Sequence, residues 1–248
     1  MIIPEYKAHE SNVVIIGGNS GIGKALATSL LNIGSSVICI DIQESCIVHK
    51  NDRLEYFQSD PLSLPDLEKV VESISKKRRY ITGLVCLSGA IVNFKKMEEL
   101  TYEEWLKEYD ISFKSCFNAC KAFMTLLKNS EKASVVNMSS GLAFGGQLNY
   151  GAYTTAKASI ISFSKTLAVE LAPTVRVNTL APGAVDTPFI YRKDGSTRFD
   201  KDQYKSVVPL GVLGSAEEMA HAIVFLLSEG AKHITGQCIH VNGGAMMI

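Results

Sequence analysis

Short runs of apolar residues recur along the chain and are separated mostly by segments of helix length. These runs predict strands at residues 12–16, 36–40, 54–58, 83–87, 134–138, 175–180 and 238–241. Near-continuous apolarity, in place of strict alternation, is typical of strands that are buried on both faces. We therefore predict one α/β domain in which a doubly wound parallel sheet of about seven strands carries helices on both faces.

Two long segments have helical periodicity and predict helices over residues 102–128 and 152–171. One stripe of the first helix is expected to pack on the sheet and comprises Phe113, Phe117, Cys120, Met124 and Leu127. Further apolar residues of the two helices form a second face, which comprises Trp105, Tyr109, Phe123, Ile161 and Ala168. That face either covers a larger core or meets another subunit. With the apolar carboxyl terminus, it predicts a homotetramer or a homodimer.

A glycine-rich segment follows the first predicted strand and precedes a helix predicted over residues 24–33. Gly17, Gly21 and Gly23 can be read as ordinary turn residues, but their spacing between a strand and a helix favours close approach to a pyrophosphate. Asp41 ends the second strand, where a carboxylate can accept hydrogen bonds from an adenosine ribose. Because no cation in the glycine loop or just after Asp41 could receive a 2′-phosphate, the sequence predicts NAD in preference to NADP.

Tyr153 and Lys157 are spaced so that both side chains lie on one face of a helix. A cation beside the phenol would lower its pKa from the usual value near 10, which suits a general acid or base. Ser140 lies upstream, at the end of the fifth predicted strand. Taken singly, the tyrosine reads as packing, the lysine as solvated and the serine as a cap. Their combination with the glycine loop indicates nicotinamide redox chemistry.

Composition excludes several other classes of function. The 248 residues contain 25 Lys and Arg against 25 Asp and Glu, so no basic field suggests nucleic acid or an anionic membrane. The six cysteines lack a Cys-x-x-Cys pair and are interpreted as small core residues, and the histidines are scattered. We therefore expect a small-molecule partner and no catalytic metal. Without an apolar run of membrane-spanning length or a secretory segment, the predicted location is the cytoplasm.

The order of these motifs from about Asn12 onward resembles the short-chain dehydrogenase/reductase family. The matching motifs are the glycine loop, Asp60, Asn-Met-Ser-Ser at 137–140, Tyr-x-x-x-Lys, Arg-Val-Asn at 176–178, Pro182-Gly183 with Thr187, and the closing Ile-Thr-Gly-Gln…Val-Asn-Gly-Gly. The resemblance implies a single-domain Rossmann fold. It also implies an oxidoreductase that transfers a hydride between NAD(H) and a secondary alcohol or ketone.

The resemblance further assigns roles to residues. Tyr153 exchanges a proton with the substrate oxygen, Lys157 lowers the tyrosine pKa and binds the nicotinamide ribose, and Ser140, in preference to its neighbour Ser139, bonds the reacting oxygen. The implied cofactor-binding residues are Gly17, Asn19, Ser20, Gly21, Ile22, Gly23, Asp41, Ile42, Asp60, Pro61, Ser88, Gly89, Met138, Tyr153, Lys157, Pro182, Gly183, Val185 and Thr187. The candidate substrate-binding residues are Ser140, Leu142, Phe144, Tyr150, Phe94 and Phe189.

Two departures from the family pattern keep an alternative open. Cys86-Leu87-Ser88-Gly89 replaces the usual Asn-Asn-Ala-Gly, and Ser112 stands where the family has a fourth catalytic residue, an asparagine. The alternative is a dinucleotide-binding regulatory or scaffold protein with little turnover.

Residues 188–214 break the alternation of strands and helices along the chain. This segment predicts a lid over the site, or else a solvated loop.

Overall fold

The computed structural model describes residues 11–44, 51–192 and 194–248, and within them the chain forms a single parallel sheet flanked by helices. The strands are β1 Asn12–Ile16, β2 Ser36–Asp41, β3 Leu54–Gln58, β4 Gly83–Cys86, β5 Ala133–Met138, β6 Val175–Pro182 and β7 Cys238–Val241. Their order is β3-β2-β1-β4-β5-β6-β7, and each neighbouring pair is parallel. The predicted doubly wound sheet is confirmed.

The helices lie on both faces of this sheet. They are α1 Gly21–Asn32, α2 Leu64–Ser75, α3 Tyr102–Tyr109, α4 Ser115–Lys128, α5 Gly151–Glu170, α6 Lys201–Val207 and α7 Ala216–Leu227. In β1, Val14 and Ile16 face a core that includes residues of α2, α4 and α5, whereas Val13 and Ile15 face a core that includes residues of α1 and α7. Each fully buried side chain of this kind stabilises the fold by about 1.5–3 kcal/mol.

The segment predicted as one helix over residues 102–128 is divided in the structure. Helix α3 ends at Tyr109, a π-helical turn follows over Asp110–Lys114, and α4 begins at Ser115. A π turn accommodates one extra residue and is frequent at functional sites. The sequence gives no Gly or Pro that would announce it, and the turn places Ser112 on the inner side of the helix.

The predicted faces of the long helices need a correction. The stripe that faces the core on α4 comprises Cys116, Ala119, Cys120, Phe123, Leu126 and Leu127, whereas Phe117 is 40 % exposed. Of the residues assigned to the second face, Phe123, Ile161 and Ala168 are buried within the chain itself. Two adjacent stripes of α4 are apolar, so periodicity alone could not show which one packs on the sheet.

The ends of the elements follow local side-chain chemistry. Thr101 Oγ1 accepts a hydrogen bond from Glu104 N at 3.2 Å, and Glu104 Oε2 accepts one from Thr101 N at 3.1 Å, which fixes the start of α3. Helix α1 has no such side-chain cap and no acidic residue in its first turn. Its N-terminus therefore keeps its positive partial charge.

None of the helices in the described ranges has the length and hydropathy needed to span a bilayer.

Candidate active site

The candidate site lies at the carboxyl edge of the sheet, around the point where the strand order reverses. β1 has β2 on one side and β4 on the other, so the chain leaves these strands in opposite directions and opens a crevice between them. Gly17 follows β1, Ser88 and Gly89 follow β4, and Ser140 follows β5. Helix α5 passes this edge and carries Tyr153 and Lys157 toward it.

Lys157 is held in the interior at this edge, with only 2 % of its surface exposed. Its Nζ donates hydrogen bonds to Met138 O at 2.9 Å and to Ser88 O at 3.4 Å. Burial lowers the pKa of Lys157 to about 8. The ammonium thus joins the ends of β4 and β5, and its position depends on the adjacent backbone.

Gly89 makes room for this lysine. A Cβ at position 89 would lie 2.9 Å from Lys157 Nζ and 3.4 Å from Ser112 Oγ. The glycine of the Cys-Leu-Ser-Gly segment is therefore required by the position of the Lys157 ammonium. No side chain other than hydrogen fits there without moving the ammonium.

Tyr153 lies one helical turn before Lys157, and Lys157 Nζ is 5.7 Å from the centre of its ring. Burial raises the pKa of Tyr153 to about 12, while a hydrogen bond with the Ser140 side chain acts in the opposite direction. From the sequence, Lys157 is expected to lower the pKa of Tyr153. In the structure burial outweighs any such effect, so the phenol is protonated at neutral pH before a ligand binds.

The two neighbouring serines after β5 have different surroundings. Ser139 Oγ donates to Lys157 O at 2.8 Å and is buried, so it ties the strand to α5. Ser140 is half-buried, accepts a hydrogen bond from Leu142 N at 3.2 Å, and bonds the Tyr153 side chain. Of the two, Ser140 is the hydroxyl beside the phenol.

Ser112 reaches the site from the π turn. It is fully buried, and its hydroxyl has no hydrogen-bond partner among the described residues. A Cβ at Gly89 would lie close to both Ser112 Oγ and Lys157 Nζ, which places the serine beside the lysine. The sequence match at this position thus points to the same region of space as the other candidate residues.

The glycine loop is built for a close approach of backbone to backbone. Gly17 has φ +84° and Gly21 has φ +48°, conformations that side chains disfavour. A Cβ on Gly23 would lie 2.0 Å from Gly17 O, so only glycine permits this turn. The turn delivers the uncapped N-terminus of α1 to the crevice, where its N–H groups can bind a pyrophosphate.

Asp41 is the last residue of β2 and stands next to the glycine loop. Its Oδ2 accepts from Asn19 N at 3.1 Å and its Oδ1 accepts from Gln43 N at 3.2 Å. These contacts hold the carboxylate at the strand end, with lone pairs remaining on both oxygens. Ile42, the next residue, is 59 % exposed.

A cavity of about 450 Å³ adjoins this strand end. It is lined in part by Ile42 and Asp60, and also by Lys69, whose ammonium pairs with Asp66 at 2.7 Å. Asp60 Oδ1 accepts from Leu62 N at 2.9 Å, which shapes the turn after β3. The carbonyl of Pro61 accepts from Asn118 Nδ2 at 3.1 Å, which joins the turn to α4.

The segment after β6 closes the other side of the crevice. A Cβ on Gly21 would lie 3.4 Å from Thr187 Cβ, so this segment lies against the glycine loop. Gly183 lies under the Tyr204 hydroxyl, which accepts a hydrogen bond from Ala184 N at 2.9 Å. Val185 is buried and forms a bridge with Gly214. The candidate cofactor residue Thr187 therefore lies next to the glycine loop.

Most candidate substrate residues gather around Tyr153. Tyr150 and Leu142 pack with it, the ring of Phe189 is 6.0 Å away, and the ring of Phe94 lies 5.1 Å from that of Tyr150. The exception is Phe144, whose ring lies 4.6 Å from that of His240 at the carboxyl-terminal strand. The wall around the phenol is aromatic and apolar.

Three charged residues lie at this wall, and the sequence analysis missed one of them, Glu108. Glu108 is fully buried, and its Oε2 accepts hydrogen bonds from Val92 N at 3.1 Å and Asn93 N at 2.7 Å. The Cζ atom of Arg192 lies 5.6 Å from the centre of the Phe94 ring, and the Cζ atom of Arg198 lies 6.0 Å from the centre of the Phe189 ring. In the sequence both arginines belong to the predicted lid, where a solvated face is favoured over contact with an anionic group of the substrate. Nothing in the acidic pattern of α3 distinguishes Glu108 from its exposed neighbours.

The cysteines largely behave as the sequence predicted. Cys39, Cys86, Cys116 and Cys120 are buried, Cys238 is half-buried, and Cys46 lies outside the described residues. Cys86 stands where the family pattern has asparagine. Its thiol contacts those of Cys116 and Cys120 beneath the active site.

Comparisons with known proteins bear on the family and the fold of the chain. A sequence profile described as enoyl-(acyl carrier protein) reductase matches residues 16–246. The 3-oxoacyl-(acyl-carrier-protein) reductase FabG of Aquifex aeolicus is 33 % identical over 97 % of this chain and 99 % of its own. A short-chain dehydrogenase/reductase from Brucella melitensis, named as a glucose/ribitol dehydrogenase, is 28 % identical, and its structure aligns with a TM-score of 0.90 over 100 % of both chains. A short chain dehydrogenase from Leptospira borgpetersenii with bound NAD+ is 25 % identical, with a TM-score of 0.88 over 100 % of this chain and 98 % of that one.

Proposed function

Because the chain belongs to the short-chain dehydrogenase/reductase family of oxidoreductases, which use nicotinamide cofactors, we propose that it interconverts a secondary alcohol and a carbonyl compound with NAD(H). The observation that carries the proposal is the convergence of Tyr153, Ser140 and Lys157 at the end of β5, beside the crevice of the glycine loop. Bound there, a nicotinamide would supply or accept the hydride.

The residues of the chain account for the proton. In the reducing direction the Tyr153 hydroxyl donates its proton to the substrate oxygen, and Ser140 donates a hydrogen bond to the same oxygen as negative charge develops. The high pKa of Tyr153 keeps this proton in place until it is needed. In the oxidising direction the phenol must first ionise, and the positive charge of an oxidised cofactor beside it would favour that.

The test is turnover with a broad panel. Purified chain is mixed with NAD(H) or NADP(H) and secondary alcohols, ketones and 3-oxoacyl thioesters, and the absorbance of reduced nicotinamide is followed. Turnover with any carbonyl or alcohol pair supports the proposal. Tight binding of NAD without turnover would favour the regulatory or scaffold alternative, which Ser112 and the Cys-Leu-Ser-Gly segment motivate.

The proposed preference for NAD over NADP rests on Asp41. Its carboxylate sits at the strand end beside the glycine loop, where it would bond two ribose hydroxyls and repel a 2′-phosphate. Lys69, which lines the adjoining cavity, is already paired with Asp66. Asp41→Ala should weaken NAD binding about tenfold and reduce the difference in affinity between NAD and NADP. A fluorescence titration with each cofactor measures both effects. Tighter binding of NADP than NAD by the parent chain would contradict this assignment.

The wall around Tyr153 supports a proposal for the chemical class of the substrate. Its aromatic surface, formed by Phe94, Tyr150 and Phe189, suits a partly apolar molecule, and Arg192 and Arg198 add positive charge. The reductase relatives act, by name, on 3-oxoacyl chains carried by a protein. Within the panel, 3-oxoacyl thioesters are therefore the first carbonyl substrates to test.

Residues 188–214 are proposed as the lid of this site. The segment contains the short helix α6 and contacts the body through Tyr204 and through a Lys201–Asp186 ion pair of 3.0 Å. Phe189 stands against Tyr153, so closure would cover the reacting oxygen. Hydrogen exchange of this segment should slow when NAD and substrate bind. Equal, strong protection with and without ligand would refute a gating role.

We also propose that the chain assembles as a homotetramer or a homodimer. Although part of the predicted second face is buried internally, Tyr102, Phe117 and Val169 remain exposed on the outer helices, as do Met247 and Ile248 at the carboxyl terminus. Burying such residues between copies removes apolar area from water. Light scattering at micromolar concentration should therefore give a multiple of the chain mass of 27.0 kDa. The single-chain mass would refute assembly.

A further inference from the structure

Three buried thiols meet beneath the candidate active site. Cys86 ends β4, while Cys116 and Cys120 lie one turn apart on the inner face of α4. Their Sγ atoms all lie within 4.8 Å of one another, and none of the three residues is more than 3 % exposed. No other group of three potential metal-binding side chains occurs within the described ranges.

A fourth donor atom faces the same point. Asn137 is fully buried, and its Oδ1 accepts a hydrogen bond from Cys120 Sγ at 3.8 Å. Its Nδ2 donates to Ser164 Oγ at 2.9 Å, and this contact fixes the direction in which the amide oxygen points. Orientation of a ligand by a neighbouring hydrogen bond is typical of metal sites.

From this arrangement we propose that Cys86, Cys116 and Cys120, with the Asn137 amide oxygen, bind one divalent ion of the zinc class. Tetrahedral Zn²⁺ has Zn–S bonds of about 2.3 Å, so its sulfur ligands lie about 3.8 Å apart. The Sγ atoms lie within 4.8 Å of one another, so each Sγ–Sγ distance would need to shorten by about 1 Å or less when zinc binds. Thiolate ligands also select zinc over harder cations.

The charges of the site fit a divalent ion better than a monovalent one. Binding releases three thiol protons and involves no electron transfer, so the loaded site carries three thiolates and one dication, a net charge of −1. Lys157 interacts electrostatically with Cys86 and Cys116, and its ammonium would balance that charge in the interior. Monovalent copper would leave a second negative charge uncompensated.

Such a site would be structural and would join β4 to α4. It is separate from hydride transfer, and the prediction of no catalytic metal is not affected. The linear spacing of the cysteines gave no sign of it because Cys86 is distant in sequence and the other two are paired only by the helical turn. Since the thiols are buried, the ion would be acquired as the chain folds.

The experiment uses the full chain, unfolded with reductant and refolded with cadmium as a spectroscopic probe for zinc. About one cadmium per chain should be retained after desalting, with the ultraviolet charge-transfer absorption of cadmium thiolate. Cys116→Ser and Cys120→Ser should lose most of both signals. Cys39→Ser, an equally buried cysteine outside the cluster, should retain them.

Cys86→Asn provides a variant that should fold, because it places the residue type of the family pattern at this position. Circular dichroism establishes whether the variant is folded. The folded variant should bind no cadmium, and zinc should not raise its melting temperature. The parent chain should bind cadmium, and zinc should raise its melting temperature. Retention of cadmium by folded Cys86→Asn would overturn the proposal. So would a parent chain that folds with less than about a tenth of an equivalent of cadmium. Neither outcome depends on turnover, so the result is independent of the proposed function.

Discussion

One methyl group added at Gly89 should displace the ammonium group of Lys157. A Cβ at this position would lie 2.9 Å from Lys157 Nζ and 3.4 Å from its Cε, which is closer than the ammonium can tolerate. Gly89 does not have a positive φ, so alanine introduces no backbone strain and the effect is that of the contact alone. The lysine must move away from Met138 O, Ser88 O or both.

The magnitude follows from those two hydrogen bonds. A hydrogen bond to a charged group contributes about 1.5–3 kcal/mol, and the shorter bond to Met138 O is the stronger of the two. Gly89→Ala should therefore lower the free energy of unfolding by about 2 kcal/mol, or about 4–8 °C in melting temperature for a domain of this size. If the ammonium position supports turnover to the same extent, the rate should fall about 30-fold.

Chemical denaturation and steady-state turnover measure the two effects, and Gly146→Ala is the matched control. A Cβ at Gly146 would meet nothing within 4 Å, so that variant should differ little from the parent in either measurement. Equal stability and equal activity of Gly89→Ala and Gly146→Ala would refute a displacement of Lys157. A loss of stability with unchanged turnover would show that the ammonium position matters only for the fold.

Further predictions concern protons and hydroxyls in the same site. Burial places the folded-state pKa of Lys157 at about 8, below its usual 10.5, so the unfolded chain binds more protons and stability should rise between these pH values by on the order of 3 kcal/mol. The stability of Lys157→Met should not rise in this way. If stability depends on pH identically in both proteins, Lys157 is not the cause of the rise. Tyr153, with its pKa raised to about 12, should ionise above pH 10 in the cofactor-free chain, as an ultraviolet titration against Tyr153→Phe would reveal, and oxidised NAD should shift the ionisation to lower pH. Ser112→Ala removes a buried hydroxyl that has no partner in the described structure, so denaturation should show equal or higher stability while turnover falls. Ser112→Asn should preserve or raise turnover, and a loss larger than that of Ser112→Ala would contradict a shared role with the family asparagine.

The sheet was predictable because its signals are local and repeated. Runs such as Val13 to Ile16 are apolar on both sides of the strand, and glycine or polar residues follow them where the chain leaves the sheet. Positions of the glycine loop were predictable for the same reason. At position 23 a Cβ would overlap Gly17 O, so the turn requires glycine there, and this glycine is visible in the sequence.

Features that depend on distant packing were not predictable. Glu108 reads as one more acid on a polar helix, yet it is buried because the loop after β4 folds over it and donates two backbone N–H groups. The pKa of Tyr153 rises because of burial, which the Tyr-x-x-x-Lys spacing does not reveal. Similarly, the π turn at Asp110–Lys114 contains no glycine or proline that would predict an interruption of the helix.

The central claim is that Tyr153 is the acid and base of an oxidoreductase, and Tyr153→Phe tests it most directly. The substitution removes the phenolic proton and preserves the ring that packs against Tyr150 and Phe189. With a responsive substrate and NAD(H), turnover should fall by a factor on the order of a hundred or more, while the dissociation constant of NAD changes little. A Tyr153→Phe variant that turns over as fast as the parent would contradict the mechanism.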